Sequence, residues 1–317
     1  MQNTHDIGPL LRQRFGAPVR KVCLRLGTTC PNRDGTLAAE GCSFCAEHRR
    51  PSEPRPVAEQ LAQGLARLRP GTLAIAYLQD HSATHLPAHR LQQVLATVRE
   101  QEQVVAVHIG TRPDCLPPDV VDVLAHHAAG VDLLVELGLQ SVRERTLALA
   151  GRQHDVACFD QAVQRLHTRG IRICAHVVLG LPTSLEDDRA SARLEPETAA
   201  DAEAAARHLG ALRVEAVKVH HCHVLRGTPL ARLHAEGRYE PPSLEGYLER
   251  LVAFLQHLPA DVEIHRLLGE AASEQVLAPA FTAHKSRSLQ WIRAELQRRG
   301  VHQGARSGVA TEGRQSS

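Results

Sequence analysis

Three of the eight cysteines, Cys30, Cys42 and Cys45, fall within sixteen residues in the spacing C-x11-C-x2-C. Thiols gathered so closely by local sequence are metal ligands, a redox pair or a coincidence of composition. Their number narrows the chemistry. A closed structural zinc site takes four protein ligands, and an ordinary ferredoxin-type cluster takes four thiolates. Three leave one coordination position open, as a metal that must bind a substrate or cofactor requires. From these residues alone, a zinc site completed by His48 or by a distant ligand remains open. Cys23, Cys115, Cys158, Cys174 and Cys222 are scattered, form no second Cys-x-x-Cys, and are expected to be small core residues.

The chain that positions these thiols has 317 residues, enough for one large α/β domain or two smaller ones. Hydrophobic residues make up 43% and aromatics only 3%, so the core must be built mostly of Leu, Val and Ala. The net charge of +2 neither demands nor excludes a polyanionic partner. Met1 to Pro9 lacks a basic stretch followed by an apolar one, and no segment approaches the ~20 apolar residues of a membrane span. A cytoplasmic protein with no membrane partner is expected, and in that compartment clustered cysteines bind metal or do redox chemistry.

Hydrophobic periodicity places strands at Lys21 to Leu26, Leu73 to Gln79, Gln103 to Arg112, Asp132 to Gln140, Ile171 to Leu181 and Val214 to Val224, with one more around Val262 to Leu268. Helices are expected at Pro56 to Leu68, Ala88 to Glu100, from an Asp119 N-cap to Gly130, after a Ser141-x-x-Glu144 capping box, and at Asp155 to Arg169. Further helices fall at Pro196 to Leu209, Leu244 to Leu258 and His284 to Arg299. Ser184 to Glu197 reads as a polar surface loop, and residues 301–317 as a disordered tail. Six strand–helix alternations define an α/β fold with a parallel sheet. A closed eight-fold barrel needs two more units, so a partial (β/α)6 barrel of TIM type fits better than an open doubly wound sheet. The expected division is an N-terminal extension (1–20), the barrel core (21–260), a small C-terminal extension (261–300) and the tail.

In such folds ligands gather at the carboxyl ends of the strands. There the sequence places Cys30, Tyr77 and Gln79, Thr111 to Asp114, Glu136-x-Gly138-x-Gln140, Gly180-Leu181-Pro182 and His220 to His223. Alternation puts Leu133, Val135, Leu137 and Leu139 on one face of their strand and Glu136, Gly138 and Gln140 on the other. Likewise Val217 and Val219 oppose Lys218, His220 and Cys222. The predicted lumen therefore holds Glu136, Gln140, Arg112, His108, Lys218 and His220. Buried charge of this kind requires partners or a polar ligand.

The motifs CPNRDGT…GCSFC, GTRPDC, VELGLQS, HVVLGLP, KVHHCHVLRGTPL and HRLLGE together resemble the radical S-adenosylmethionine (SAM) enzymes. Within that superfamily they are most similar to the YhcC-type proteins, whose core is similar to that of the Elongator catalytic subunit. The resemblance runs from about Lys21 to Lys285. It implies that Cys30, Cys42 and Cys45 hold a [4Fe-4S] cluster whose fourth iron binds SAM. Cleavage of SAM would then give a 5′-deoxyadenosyl radical that abstracts hydrogen from a substrate. It further implies Tyr77 and Gln79 near the methionyl end, Glu136 and Gln140 near the ribose, and Gly180, Leu181 and Phe44 around the adenine. An electron donor such as flavodoxin or ferredoxin would be needed, and the substrate could be a small molecule, a peptide or RNA. The chain departs from the pattern at Leu26-Gly27-Thr28-Thr29, at Tyr77-Leu78-Gln79-Asp80-His81-Ser82 and at Thr183-Ser184.

Two other readings compete. One is a zinc-stabilised, non-enzymatic RNA-binding module using the basic C-terminal helix with Lys285, Arg287, Arg293, Arg298 and Arg299. The other keeps the radical chemistry and makes tRNA the substrate.

Overall fold

The strand alternation read from the sequence is realised as one parallel, curled sheet. The computed structural model describes residues 4–46, 54–184 and 193–308. In chain order the elements are α1 (Ile7–Phe15), β1 (Val19–Leu24), α2 (Val57–Ala66), β2 (Leu73–Leu78), α3 (Ala88–Arg99), β3 (Val104–Thr111), α4 (Pro118–Ala128), β4 (Asp132–Gln140), α5 (Glu144–Leu149), α6 (Val156–His167) and β5 (Arg172–Leu179). There follow β6 (Pro182–Thr183), β7 (Glu195–Pro196), α7 (Ala199–Ala211), β8 (Ala216–His221), β9 (Val224–Leu225), α8 (Pro229–Ala235), α9 (Leu244–His257), β10 (Glu263–Arg266), β11 (Val276–Ala278) and α10 (Lys285–Arg298).

The main sheet runs β1-β2-β3-β4-β5-β8-β10, every neighbouring pair parallel. The segment at Val262 to Leu268 thus contributes a seventh strand, β10. With β1 and β10 at opposite edges the barrel is partial, as expected.

Side-chain parity sorts the two faces. Leu133, Val135, Leu137 and Leu139 of β4, with Val217 and Val219 of β8, belong to the large apolar core between sheet and helices. Helix α9 adds Tyr247, Leu248, Leu251, Phe254 and Leu255, all fully buried at helical spacing. Each such side chain contributes roughly 1.5–3 kcal/mol of transfer free energy. Helix α2 sits so close on β1 that a methyl group at Gly64 would lie 2.2 Å from Val22 Cγ1.

Several local expectations are corrected. Helix α1 was not foreseen, because it buries no residue fully and shows little apolar pattern. Helix α4 begins at Pro118 after a Pro117 N-cap, and Asp119 lies inside its first turn. The Ser141–Glu144 capping box does not form: Ser141 Oγ donates to Glu197, and α5 starts after Arg143. A true capping box links Thr198 and Asp201 at the start of α7. Residues 301–308 are packed rather than disordered, with Gln303 Nε2 donating to the carbonyls of Pro259 and Val262, both at 2.8 Å. The rest of the expected tail lies outside the described residues, as do 185–192 of the expected surface loop. The loop's final residue, Glu197, is buried.

Candidate active site

The Cys30–Cys45 loop leaves β1 at the carboxyl mouth of the half-barrel. Its path is held by polar contacts from neighbouring strands. Asp80, just past β2, accepts the backbone N–H groups of Leu26 (3.1 Å) and Gly27 (2.7 Å) on one carboxylate oxygen. Thr28 Oγ1 donates to the Asp80 carbonyl at 2.5 Å, and Ser82 N donates to Thr29 O. The two segments that depart from the family pattern, LGTT and YLQDHS, are therefore each other's partners. Asn32, fully buried, donates to Gly151 O at 2.7 Å and to Cys42 Sγ at 3.4 Å. Arg33 Nη2 donates to Cys45 O at 2.5 Å.

The thiols sit in a cationic setting. Arg152 Nη1 approaches Cys42 Sγ at 3.4 Å, and Arg112, fixed by a bidentate pair with Asp114, donates to Arg152 O at 2.7 Å. Burial works against ionisation of Cys42, but the Arg152 and Arg112 charges and the N–H donors hold it below the ordinary thiol range. Cys45 is shifted upward, by burial first and then by the negative charges of Cys42 and Cys30, so the three sulfurs share one neighbourhood. They are nonetheless not packed as ligands of one ion. Among the described residues only His108, Glu136 and His265 bring three ligand atoms within 4.8 Å. A zinc ion with sulfur at ~2.3 Å would hold three thiolates closer than that. Three spaced thiols among N–H donors and guanidinium groups fit a larger anionic iron–sulfur cluster. His48, the alternative fourth ligand, lies outside the described residues.

Below the mouth is the expected polar lumen, centred on Glu136. Tyr77 Oη donates to Glu136 Oε2 at 2.5 Å, and Lys218 Nζ makes a close ion pair with the same oxygen. Lys21 Nζ stands 3.3 Å from Oε1, and His108 Nδ1 3.4 Å. Both ammonium groups also lie over the Tyr77 ring, 4.3 and 4.7 Å from its centroid. Burial would raise the Glu136 pKa, but Lys218, His108 and Lys21 hold it well below the usual carboxylate range. Burial lowers Lys218 to about 8 despite its partner, and His108 to about 4. Tyr77 and Glu136, assigned by resemblance to SAM, thus have their polar atoms engaged with each other and with lysines.

The other expected site residues divide between two places. Phe44 packs against an apolar cluster that includes Leu181, Val178, Cys222 and Tyr239. This places Cys222 in that cluster and not in the lumen. Gly180 has φ +84°, and a Cβ there would meet Pro242 at 2.6 Å; its carbonyl accepts Tyr239 Oη. Gln140 is buried with φ +72°, its amide beside Gly138 and Arg152. Gln79 is exposed, and Asp80 has the inward role at that strand end.

Four groups at the opposite end escaped the sequence reading. Arg14 and Arg172 alternate with Asp132 and Glu263 in a ring of ion pairs of 2.5–2.9 Å that closes the lumen floor. Each member comes from a different element, so no local pattern announces it.

Glu197 was also missed. Only 5% exposed, it accepts from Ser141 Oγ, and burial pushes its carboxyl up to about 7. The folded state therefore binds its proton more tightly than the unfolded chain, whose carboxyl titrates near 4.5. The associated stability is complete below about pH 4.5 and is lost as pH rises through about 7, a swing of about 3 kcal/mol. Glu197→Gln is expected to remove this slope and to raise the melting temperature at pH 8 relative to the parent. Melting curves across pH 5–8 that stay parallel for the two proteins would overturn the assignment.

The parallel half-barrel with three thiols at its carboxyl mouth defines a class, and comparison agrees. Residues 26–195 match the radical SAM superfamily and residues 214–298 its C-terminal domain, so the chain belongs to the radical SAM superfamily and is an enzyme of that class. It is 35% identical over 307 residues to "Uncharacterized protein YtqA" of Bacillus subtilis (strain 168), covering 95% of this chain and 91% of that one. It is 30% identical to "Protein YhcC" of Escherichia coli (strain K12), covering 92% and 91%. Among solved structures, Methanocaldococcus infernus Elp3 superposes with a TM-score of 0.64 at 16% identity, covering 90% of this chain and 64% of that one, which is a likeness of fold. Membership implies a [4Fe-4S] cluster and SAM. No helix among the described residues is long and apolar enough to cross a membrane.

Proposed function

We propose that Cys30, Cys42 and Cys45 hold three irons of a [4Fe-4S] cluster, leaving the fourth to SAM, and that a substrate is presented to the radical from the polar lumen. The observation that carries this reading is three thiols of one loop among N–H donors and guanidinium groups at the carboxyl mouth of a parallel half-barrel. When bound, the reduced cluster supplies the electron that cleaves SAM to methionine and the 5′-deoxyadenosyl radical. The chain's own residues do the rest. Asp80 and Asn32 fix the loop, Arg152 and Arg112 offset thiolate charge, and the ion-pair floor keeps bulk water from the far end. Phe44 and Leu181 offer an apolar wall beside the loop, suited to the adenine, with Gly180 at its edge. Gln140, its amide beside Gly138 and Arg152, is suited to the ribose, and exposed Gln79 to the methionyl end. The reductant would be a small electron carrier of the flavodoxin or ferredoxin kind.

Anaerobic reconstitution of the full chain should give close to one cluster per chain, with a broad absorption band near ~400 nm from thiolate–iron charge transfer. Zinc without sulfide in the purified protein would sink the proposal.

A second reading, RNA as substrate, has a specific observation behind it. Over 169 residues the chain is 28% identical to the "tRNA uridine(34) acetyltransferase" of Methanocaldococcus infernus, covering 53% of this chain and 29% of that one. The C-terminal helix does not add to it. Of its five noted cations, Lys285 pairs with Glu270, Arg293 with Asp6, Arg298 with Glu295 and Arg299 with Glu249. A solvated, internally neutralised face accounts for that charge.

A further inference from the structure

The sheet is open between β1 and β10, and beside the β1 edge lies a cleft of about 580 Å³. That is the size of a small-ligand site. Among the described residues, Lys21, Arg25, Arg55 and Arg67 are the charged residues of its wall, and none of the described wall residues is a carboxylate. Arg25, Arg55 and Arg67 are exposed, and none forms an ion pair among the described residues. Arg55 Nη1 donates to the neutral Gln63 at 2.8 Å. This contrasts with α10, whose cations are mostly neutralised. Positive charge without acidic partners in a concave wall attracts anions, and guanidinium forks match phosphate oxygens in pairs.

Two further features define what enters. The Gln60 carboxamide takes both backbone groups of Arg25, accepting its N–H at 2.9 Å and donating to its carbonyl at 2.8 Å. The backbone just past β1 is thereby already satisfied, so recognition there falls to side chains. Lys21 belongs both to this wall and to the lumen, where its ammonium stands 3.3 Å from Glu136. The cleft thus lies on the β1 flank, with Lys21 between it and the Glu136 carboxylate and with Pro54 beside Gly27 of the segment leading to the cysteines.

We propose that this cleft binds the phosphate groups of a phosphate-bearing substrate, with Arg25, Arg55 and Arg67 on the phosphates and Lys21 at the threshold of the lumen. Calling the bound molecule a substrate rests on the radical SAM reading; the binding itself does not. The phosphates could belong to a free nucleotide or to a nucleic-acid backbone, and the test separates the two.

The full chain is assayed for binding of inorganic pyrophosphate, ADP and a short single-stranded RNA. Pyrophosphate should bind, and Arg25→Ala/Arg67→Ala should weaken it by about tenfold or more, since hydrogen bonds to charged groups are the strong ones. Arg287→Ala, on α10, should leave binding as it is. Pyrophosphate should also slow alkylation of Cys23, the exposed thiol in the same wall, read by peptide mass spectrometry. Tighter ADP than RNA binding assigns a nucleotide. Tighter RNA binding, with a salt dependence that flattens in the double variant, assigns a backbone. No pyrophosphate binding, equal binding by parent and double variant, or an unprotected Cys23 overturns the proposal. Iron and sulfide measured on the same protein keep the two readings apart. Binding without a cluster spares the cleft and removes the radical SAM assignment, and a full cluster without binding does the reverse.

Discussion

Glu136→Ala is expected to destabilise the fold by about 3–5 kcal/mol, the range seen when one partner of a buried ion pair is removed. The reason is geometric. Lys218 has 5% of its side chain exposed and makes its ion pair with Glu136, while Tyr77 donates to the same carboxylate. Removing the acid strands an ammonium beside Lys21 in a site that water reaches poorly. The loss should depend on pH in a defined direction. Lys218 already holds its proton less tightly folded than unfolded, so stability rises with pH between about 8 and the ordinary lysine range. Without Glu136 that window extends downward, and the penalty should shrink as the solution is made alkaline. Glu136→Gln keeps an acceptor for Tyr77 and should cost less. The double replacement Glu136→Leu/Lys218→Met should recover much of the loss, because an apolar pair of similar volume often replaces a buried ion pair at little net cost. Urea denaturation of the four proteins at pH 6 and pH 9 is the measurement. A double variant no more stable than Glu136→Ala would show that the two residues do not form a unit.

Cys42→Ala should abolish cluster retention, because two thiolates leave one of the three irons without its protein ligand. Arg152→Met tests the setting rather than the ligand. It removes the N–H donor and charge on Cys42 Sγ and should weaken the bound cluster by about 10–100-fold, the usual cost of losing a partner of a metal ligand. Cys158→Ala serves as the control and should hold iron and sulfide as the parent does. The readout is loss of visible absorbance under chelator challenge, with SAM cleavage to 5′-deoxyadenosine measured alongside. Retention of a full cluster by Cys42→Ala would remove this cysteine from the ligand set.

What could be read from the sequence follows the range of the forces involved. The inward and outward faces of β4 and β8 were legible, because alternation is local and one face must meet helices. The thiol loop was legible because its ligands are close in the chain. Arg152 and Asp80 were not, since each reaches the loop through space, Asp80 from just past β2 and Arg152 from between α5 and α6. Ser141 was misread for a related reason. Its spacing to Glu144 suits a cap, yet its hydroxyl went to Glu197, a carboxyl 56 residues away whose burial nothing local foretells. The resemblance placed Tyr77 and Glu136 at a cofactor, and it could not show that each already had the other.

The floor of ion pairs also bears on the order of assembly. Arg14 meets Glu263 across 249 residues, and the His5 backbone meets Gln303 across 298. Contacts between such distant positions form late, because the intervening chain must first be ordered. During synthesis the thiol loop emerges well before Glu263 and Gln303, which complete the base. In a chain made from its N-terminus onward, the ligand loop is therefore synthesised before the residues that close the chamber beneath it.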